Sequence, residues 1–198
     1  MTRPRIILAS TSAIRRKILD ASGLAYTALR PDADEAALKA ALVREGIPVE
    51  ALAVSLAREK ALSIDVPGAL VIGADQIMEM DGETFDKPRS VAEAAERLER
   101  CAGRAHRLIN GVVVARDGAT IFENTEIATL HMRAMSRADI DAYLAEAGED
   151  VLSSVGAYQV EALGSRLFDR IDGDYFAVLG LSLFPLLRFL RGAGALPW

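Results

Sequence analysis

Cysteine is nearly missing from this 198-residue chain. Cys101 stands alone, so no internal disulfide can form and the fold must hold by packing. The N-terminal MTRPRIILAS has neither the apolar core nor the small-residue cleavage site of a secretory signal, which points to a reducing cytoplasm. No apolar run is long enough to cross a bilayer. LGLSLFPLLRFL is interrupted by Pro185 and Arg188 and reads as a buried terminal helix, so no membrane partner is expected. A basic excess is missing as well: the formal net charge of −5 argues against a general nucleic-acid binder. The two histidines, His106 and His131, do not make a metal-ligand spacing with Cys101, which argues against structural zinc. The chain also lacks GxxxxGK[ST], a glycine-rich dinucleotide fingerprint and GxSxG, which removes support for kinases, Rossmann dehydrogenases and α/β-hydrolases.

What is present is ordinary globular composition, 51% hydrophobic and 26% charged. A chain of this length forms one domain or a tightly joined pair and buries roughly 70% of its unfolded surface. RIILAS reads as a short buried strand, followed by TSAIRRKILDASG with helical spacing at Ile14, Ile18 and Leu19, a Ser12 N-cap and a Gly23 stop. A strand over Tyr26 to Leu29 precedes two Ala/Leu-rich helices, the second starting at Pro48. Ala69 to Ala74 reads as the next strand, with a tight turn at Asp81-Gly82. Ser90 to Glu93 has the pattern of a capping box opening a helix toward Cys101. Two long β-type runs meet at Asp117-Gly118, and a helix from Ser136 to Ala147 is closed by Gly148. The pattern predicts an α/β fold: a central mixed sheet flanked by helices, with room for a cleft between two lobes.

Asp75 follows LVIGA, and ligands of open α/β sheets gather at the carboxyl ends of strands. A carboxylate there can hold a divalent ion or orient a water, or it can simply cap a turn. Lys87 lies just past the expected hairpin, either as a loop lysine or on a path returning toward Asp75. Lys60 sits on an apolar helical stretch, where a lysine ordinarily snorkels to water. With Arg15, these lysines offer three cations to one polyanion. Arg15-Arg16-Lys17 is otherwise readable as a solvated helix face. Ser10 and Ser12 flank a turn where hydroxyls and backbone N–H groups can cradle phosphate oxygens. A metal at such a site is a hard ion, magnesium or manganese, held by carboxylates and substrate phosphates.

Eight segments in order, LASTSAIRRKIL, PDADE, SLAREKA, VIGADQIM, DKP, GRAHRLINGV, GAYQVEALG and GDYFAVLGL, resemble the Maf, or septum formation inhibitor, proteins. The resemblance spans nearly the whole chain. It implies a single Maf/ITPase-like domain over residues 1–198, with two lobes and a cleft, a cytoplasmic homodimer, and a nucleoside triphosphate pyrophosphatase dependent on magnesium or manganese. Asp75, Lys60 and Lys87 then fall at catalytic positions, Asp75 and Glu35 at metal positions, and Ser10, Ser12, Arg15, Glu35 and Glu161 at substrate positions. The chain departs from the family's usual pattern at Ile14, Gln76, Ser154, Glu161, Ala177 and Ser182. The Gly156-Ala157-Tyr158 core resembles members acting on dTTP and UTP, the first expectation, whereas Glu161 resembles the 7-methyl-GTP subgroup. A nucleotide-binding regulator of septum formation with little turnover is the non-enzymatic alternative.

Overall fold

The computed structural model describes residues 3–198, so Met1 and Thr2 of the N-terminal stretch lie outside it. The strands hydrogen-bond in the order β2-β1-β3-β5-β6-β7, with β4 paired to β3, and make a mixed seven-stranded sheet with helices. These strands are β1 (Ile6–Ala9), β2 (Thr27–Leu29), β3 (Leu70–Met80), β4 (Glu83–Phe85), β5 (Ala105–Arg116), β6 (Ala119–Met132) and β7 (Phe168–Asp172). The α/β class expected from the sequence is therefore the one observed. Among the described residues, no helix is long and apolar enough to cross a membrane.

The chain divides into two compact units. Among the described residues, the first comprises 3–76, Ile109–Glu126 and Tyr175–Trp198. It contains α1 (Ala13–Ala21), α2 (Glu35–Arg44), α3 (Val49–Leu62), α6 (Tyr175–Leu179) and α7 (Leu183–Gly192). β1 runs parallel to both β2 and β3, and all four of its residues are buried, as a strand covered on both faces requires. Period-two alternation sorts the side chains. Ile6, Leu8, Leu70 and Ile72 pack with Ile18, Leu19, Leu186 and Leu190, whereas Ile7, Ala9 and Val71 pack with Val54, Ala57 and Ala61. The terminal apolar segment is thus a buried-face helix, with Leu183, Leu186 and Leu190 inward.

Helix α3 lies unusually close to the sheet. A Cβ at Gly73 would stand 2.0 Å from the Ala57 carbonyl oxygen, and one at Gly111 would stand 2.5 Å from that of Ala53. Ala53, Ala57 and Ala61 recur every four residues, so one helix face carries only methyl groups. Small residues on both surfaces let the backbones approach, and that approach sets how far the side chain of Lys60 can reach.

The second unit comprises Ile77–Leu108 and Ile127–Asp174 and holds α4 (Val91–Cys101) and α5 (Arg137–Ala147). β3 and β4 pair antiparallel across Asp81 and Gly82, whose φ angles of 55° and 82° are the left-handed pair that a two-residue hairpin demands. Asp117 and Gly118 (φ 49° and 75°) turn β5 into β6 in the first unit in the same way, as expected.

Two expectations need correction. β3 does not stop at Ala74; it runs on to Met80. Its partnership with β1 ends at Gly73 and that with β4 begins at Met78, so Asp75 and Gln76 occupy the interval between two partners rather than a strand end. The reciprocal capping box is not at Ser90 either. Ser90 Oγ accepts from Glu93 N at 3.2 Å, but Glu93 Oε2 accepts from Arg89 N at 3.1 Å. The full box forms at Ser136, whose N–H donates to Asp139 Oδ2 at 2.8 Å while its Oγ accepts from Asp139 N at 3.2 Å.

Candidate active site

The first unit brings six of the expected residues together: Ser10, Ser12 and Arg15 in one bonded group and Glu35, Lys60 and Asp75 in another, with the Arg15 charge felt by both carboxylates. Ser12 caps α1 as the sequence predicts, its Oγ accepting from Arg15 N at 3.5 Å. Ser10, buried at the end of β1, accepts from Ser12 N at 3.1 Å and from Arg15 Nη1 at 3.5 Å. Arg15 Nε donates to the Gly180 carbonyl at 2.8 Å, which ties the start of α1 to the turn after α6. Burial lowers the Arg15 pKa, and the charges of Asp75 and Glu35 pull it back up. A guanidinium keeps its proton under either influence. Neighbouring Arg16 does not join Arg15: its Nη2 donates to the Thr11 carbonyl at 3.3 Å in an exposed position.

Lys60 is the centre of the arrangement. It does not snorkel; only 6% of it is exposed, because the close seat of α3 on Gly73 holds its stem against the sheet. Its Nζ donates to Asp75 Oδ1 at 2.6 Å and pairs with Glu35 Oε2 at 2.8 Å. Asp75 comes from β3 and is largely buried, whereas Glu35, the first residue of α2, is about half-exposed. An ammonium buried without partners would cost several kcal/mol, so two carboxylates on one lysine are what makes this burial tolerable. Lys60 and Arg15 are thus balanced by Glu35 and Asp75, and the set is neutral before any ligand arrives. The sequence reading of spare cations awaiting a polyanion is too simple for this pair.

Residues that the sequence reading did not place complete the support. Asn110 is fully buried on β5, with Nδ2 donating to the Asp75 carbonyl at 3.2 Å. Its Oδ1 accepts from Ser182 N and Oγ at 2.8 and 2.7 Å. Gln76 Nε2 donates to the carbonyls of Ala177 and Val178 at 2.8 and 3.0 Å. The backbone at Asp75 and Gln76 is therefore fixed from β5 and from the α6–α7 connection, which is how a carboxylate between two strand partners is kept in place. Gly180, at φ 106°, makes the turn that offers its carbonyl to Arg15.

Two expected site residues belong to the second unit. Lys87 is exposed in the connection between β4 and α4, beside a buried Pro88. Glu161 is exposed in the turn before the 3-10 segment Leu163–Leu167. Burial pushes the Tyr143 phenol up to about 12, and the Glu161 charge acts in the same direction. The Gly156-Ala157-Tyr158 turn is held from below by His106, whose Nε2 lies 2.5 Å from Tyr158 Oη in a buried contact. This explains the histidine in GRAHRLINGV as a structural support.

The donor set fits a divalent ion that arrives with its own oxygen ligands. Among the described residues, no cluster of three His, Cys, Asp or Glu side chains could hold a metal alone. Asp75 and Glu35 supply two carboxylates, and magnesium is ordinarily held by one or two carboxylates together with substrate phosphates and water.

Parallel pairing of β1 with β2 and β3, a capped helix start beside a half-buried arginine, and a strand acid bound to a buried lysine are features of the kind that can hold a phosphorylated ligand and a hard cation. The Maf-like protein model matches residues 5–193, and the chain belongs to that family. It is 46% identical to the nucleoside triphosphate pyrophosphatase of Nitrobacter hamburgensis, over 96% of this chain and 95% of that protein. It is 43% identical to the 7-methyl-GTP pyrophosphatase of Rhizobium johnstonii, over 98% of each. It is 45% identical to the nucleoside triphosphate pyrophosphatase of Caulobacter vibrioides, over 99% of each.

Proposed function

We propose that this protein is a nucleoside triphosphate pyrophosphatase. Water attacks the α-phosphorus, a new P–O bond forms, the bond from that phosphorus to the α–β bridging oxygen breaks, and pyrophosphate leaves a nucleoside monophosphate behind. The observation that carries this reading is the Lys60 ammonium held between Asp75 and Glu35, in a set that Arg15 brings to neutrality. Phosphoryl transfer asks mainly for positioning and charge neutralisation, and this set offers both.

The roles proposed for these residues are as follows. Arg15 and the Ser12-capped helix start face developing anionic oxygen with N–H donors, and Ser10 orients the Arg15 fork. Asp75 holds the attacking water or accepts its proton, and with Glu35 it would hold magnesium or manganese. That ion supplies Lewis-acid neutralisation of the phosphate oxygens. Lys60, which holds both carboxylates in place, is the cation nearest them for the substrate phosphates. Lys87 and Glu161 serve the same reaction as a phosphate contact and a base contact, roles that rest on family resemblance. We read the chain as one domain, 1–198, with two lobes; that β3, β5 and β6 each have residues in both units supports this reading. A cytoplasmic homodimer is the working assembly.

For the base, we favour 7-methyl-GTP over the dTTP or UTP expected from Gly156-Ala157-Tyr158. A carboxylate at 161 accepts from two adjacent N–H groups of guanine and favours the positive charge that 7-methylation places on the ring. Relatives bearing that activity in their names match this chain over 98% of its length. The test is a hydrolysis panel of 7-methyl-GTP, dTTP, UTP, CTP and ITP with product identification. Monophosphate plus pyrophosphate is expected, fastest for 7-methyl-GTP, and Asp75→Asn should remove it. Orthophosphate as the sole product, or a folded Asp75→Asn protein with full turnover, refutes the proposal. Binding without turnover across the panel returns the septum-regulator reading.

A further inference from the structure

Arg97 is a buried guanidinium outside the site described above. It projects from α4 in the second unit with 7% of its surface exposed, a rare place for an arginine. Burial lowers its pKa, with Glu93 acting in the opposite sense. Glu93 Oε1 is its salt-bridge partner at 3.4 Å, and the guanidinium lies over the Phe85 ring, 5.2 Å from the centroid. One nitrogen does something more specific. Nη1 donates both to the Asp86 carbonyl and, at 2.5 Å, to the Val155 carbonyl.

Those two carbonyls sit at informative places. Asp86 directly precedes Lys87, and Val155 directly precedes the Gly156-Ala157-Tyr158 turn that leads to Glu161. The turn is a strained piece of chain: Ala157 has φ 61°, and a Cβ at Gly156 would stand 2.2 Å from the Tyr158 ring. His106 and Tyr143 hold the turn from within, through Tyr158 Oη and the Ala157 carbonyl. Neither of those bonds reaches the Asp86–Pro88 segment; the single atom Arg97 Nη1 bonds to both segments.

We propose that Arg97 is a positioning residue for pyrophosphatase action: it fastens the Lys87-bearing segment to the Glu161-bearing segment, so that a phosphate contact and a base contact keep a constant separation. The proposal rests on the reading of Lys87 and Glu161 given above. It explains why an expensive buried cation is present where an apolar side chain could fill the volume. A planar guanidinium can serve two carbonyls while stacking on Phe85 and facing Glu93, whereas an ammonium on a flexible stem cannot hold that geometry.

The experiment compares wild type, Arg97→Met, Arg97→Lys, Lys87→Ala and the Arg97→Met/Lys87→Ala double variant. Readouts are steady-state kinetics and amide hydrogen exchange over residues 85–90 and 153–160. For Arg97→Met, kcat/KM should fall on the order of tenfold or more, the loss expected when one charge-assisted contact goes, and exchange should rise in both segments together. Arg97→Lys should lie between. With Lys87 already removed, Arg97→Met should cost clearly less than it does alone, because residues acting as a unit are not additive. A folded Arg97→Met protein with full kcat/KM, additive losses, or exchange that changes in only one segment overturns the proposal. Should Arg97→Met not fold, the same outcomes are read from Arg97→Lys. If Lys87→Ala alone leaves the rate intact, the role of Lys87 has failed, and the paired exchange still decides whether Arg97 joins the segments.

Discussion

Acidification should weaken this fold through one buried imidazole. His106 is 2% exposed on β5, with Nε2 against Tyr158 Oη and its ring 6.1 Å from Phe168. Its Nδ1 is buried with no hydrogen-bond partner, so nothing in the folded protein waits to accept a second N–H. Burial brings its pKa from the ordinary 6.5 down to about 4, with repulsion from His131 adding to the effect. Between those values the unfolded chain carries a proton that the folded chain refuses. The unfolded state therefore binds more protons, so stability is complete above about pH 6.5 and falls as pH drops toward about 4. At about 1.4 kcal/mol per pH unit across that gap, the loss is roughly 3 kcal/mol, a large part of a typical domain's stability. Urea unfolding of wild type and His106→Gln at several pH values between about 7.5 and 4.5 isolates the effect. Carboxylate protonation is common to both proteins, so the wild-type free energy should fall more steeply with acid than that of the variant. Parallel pH profiles would refute the argument.

Gly73→Ala should cost about 1 to 3 kcal/mol by forcing α3 off the sheet, as overpacking does. It should also lower turnover, because Lys60 leaves Asp75; chemical denaturation and the pyrophosphate assay read the two effects, and an unchanged kcat would separate them. Lys60→Met leaves Asp75 and Glu35 together without their cation. It should bind Mn2+ in the absence of nucleotide more tightly than wild type, measured by titrating the free Mn2+ signal in electron paramagnetic resonance; equal affinities would contradict the view of Lys60 as an internal counter-ion. Ser136→Ala removes one member of the capping box on α5 and should cost about 1 kcal/mol, a fall of roughly 2 to 4 °C in Tm by calorimetry.

The parts of this molecule that were legible in the sequence are those decided within a few residues. Ser12 caps its helix, Asp81-Gly82 and Asp117-Gly118 turn hairpins, and Gly148 closes α5 with φ 67°, each for reasons contained in the local backbone. Asp75 was found but misplaced at a strand end, because the apolar run stops at Ala74 while the hydrogen-bonding strand changes partner and continues. Within that continuation Glu79, whose charge would suggest exposure, is buried, with Arg107 Nε at 2.6 Å and the Gly82 N–H at 2.5 Å on its two oxygens.

Lys60 shows what hydropathy cannot reach. Its burial depends on Gly73, Ala57 and Ala61, residues that look unremarkable singly and act only when helix and sheet meet. The signal was nonetheless present as an i, i+4 row of alanines beside two glycines on neighbouring strands. Arg97, His106 and Asn110 obey the same rule: each is buried, and each is explained by carbonyls, a phenol or a serine far away in the sequence. A polar side chain remains in a protein interior only when distant groups complete its bonds. The residues whose positions the sequence most strongly hides are therefore the ones that hold distant segments in register, and in this chain they cluster behind Asp75 and behind the Gly156-Ala157-Tyr158 turn.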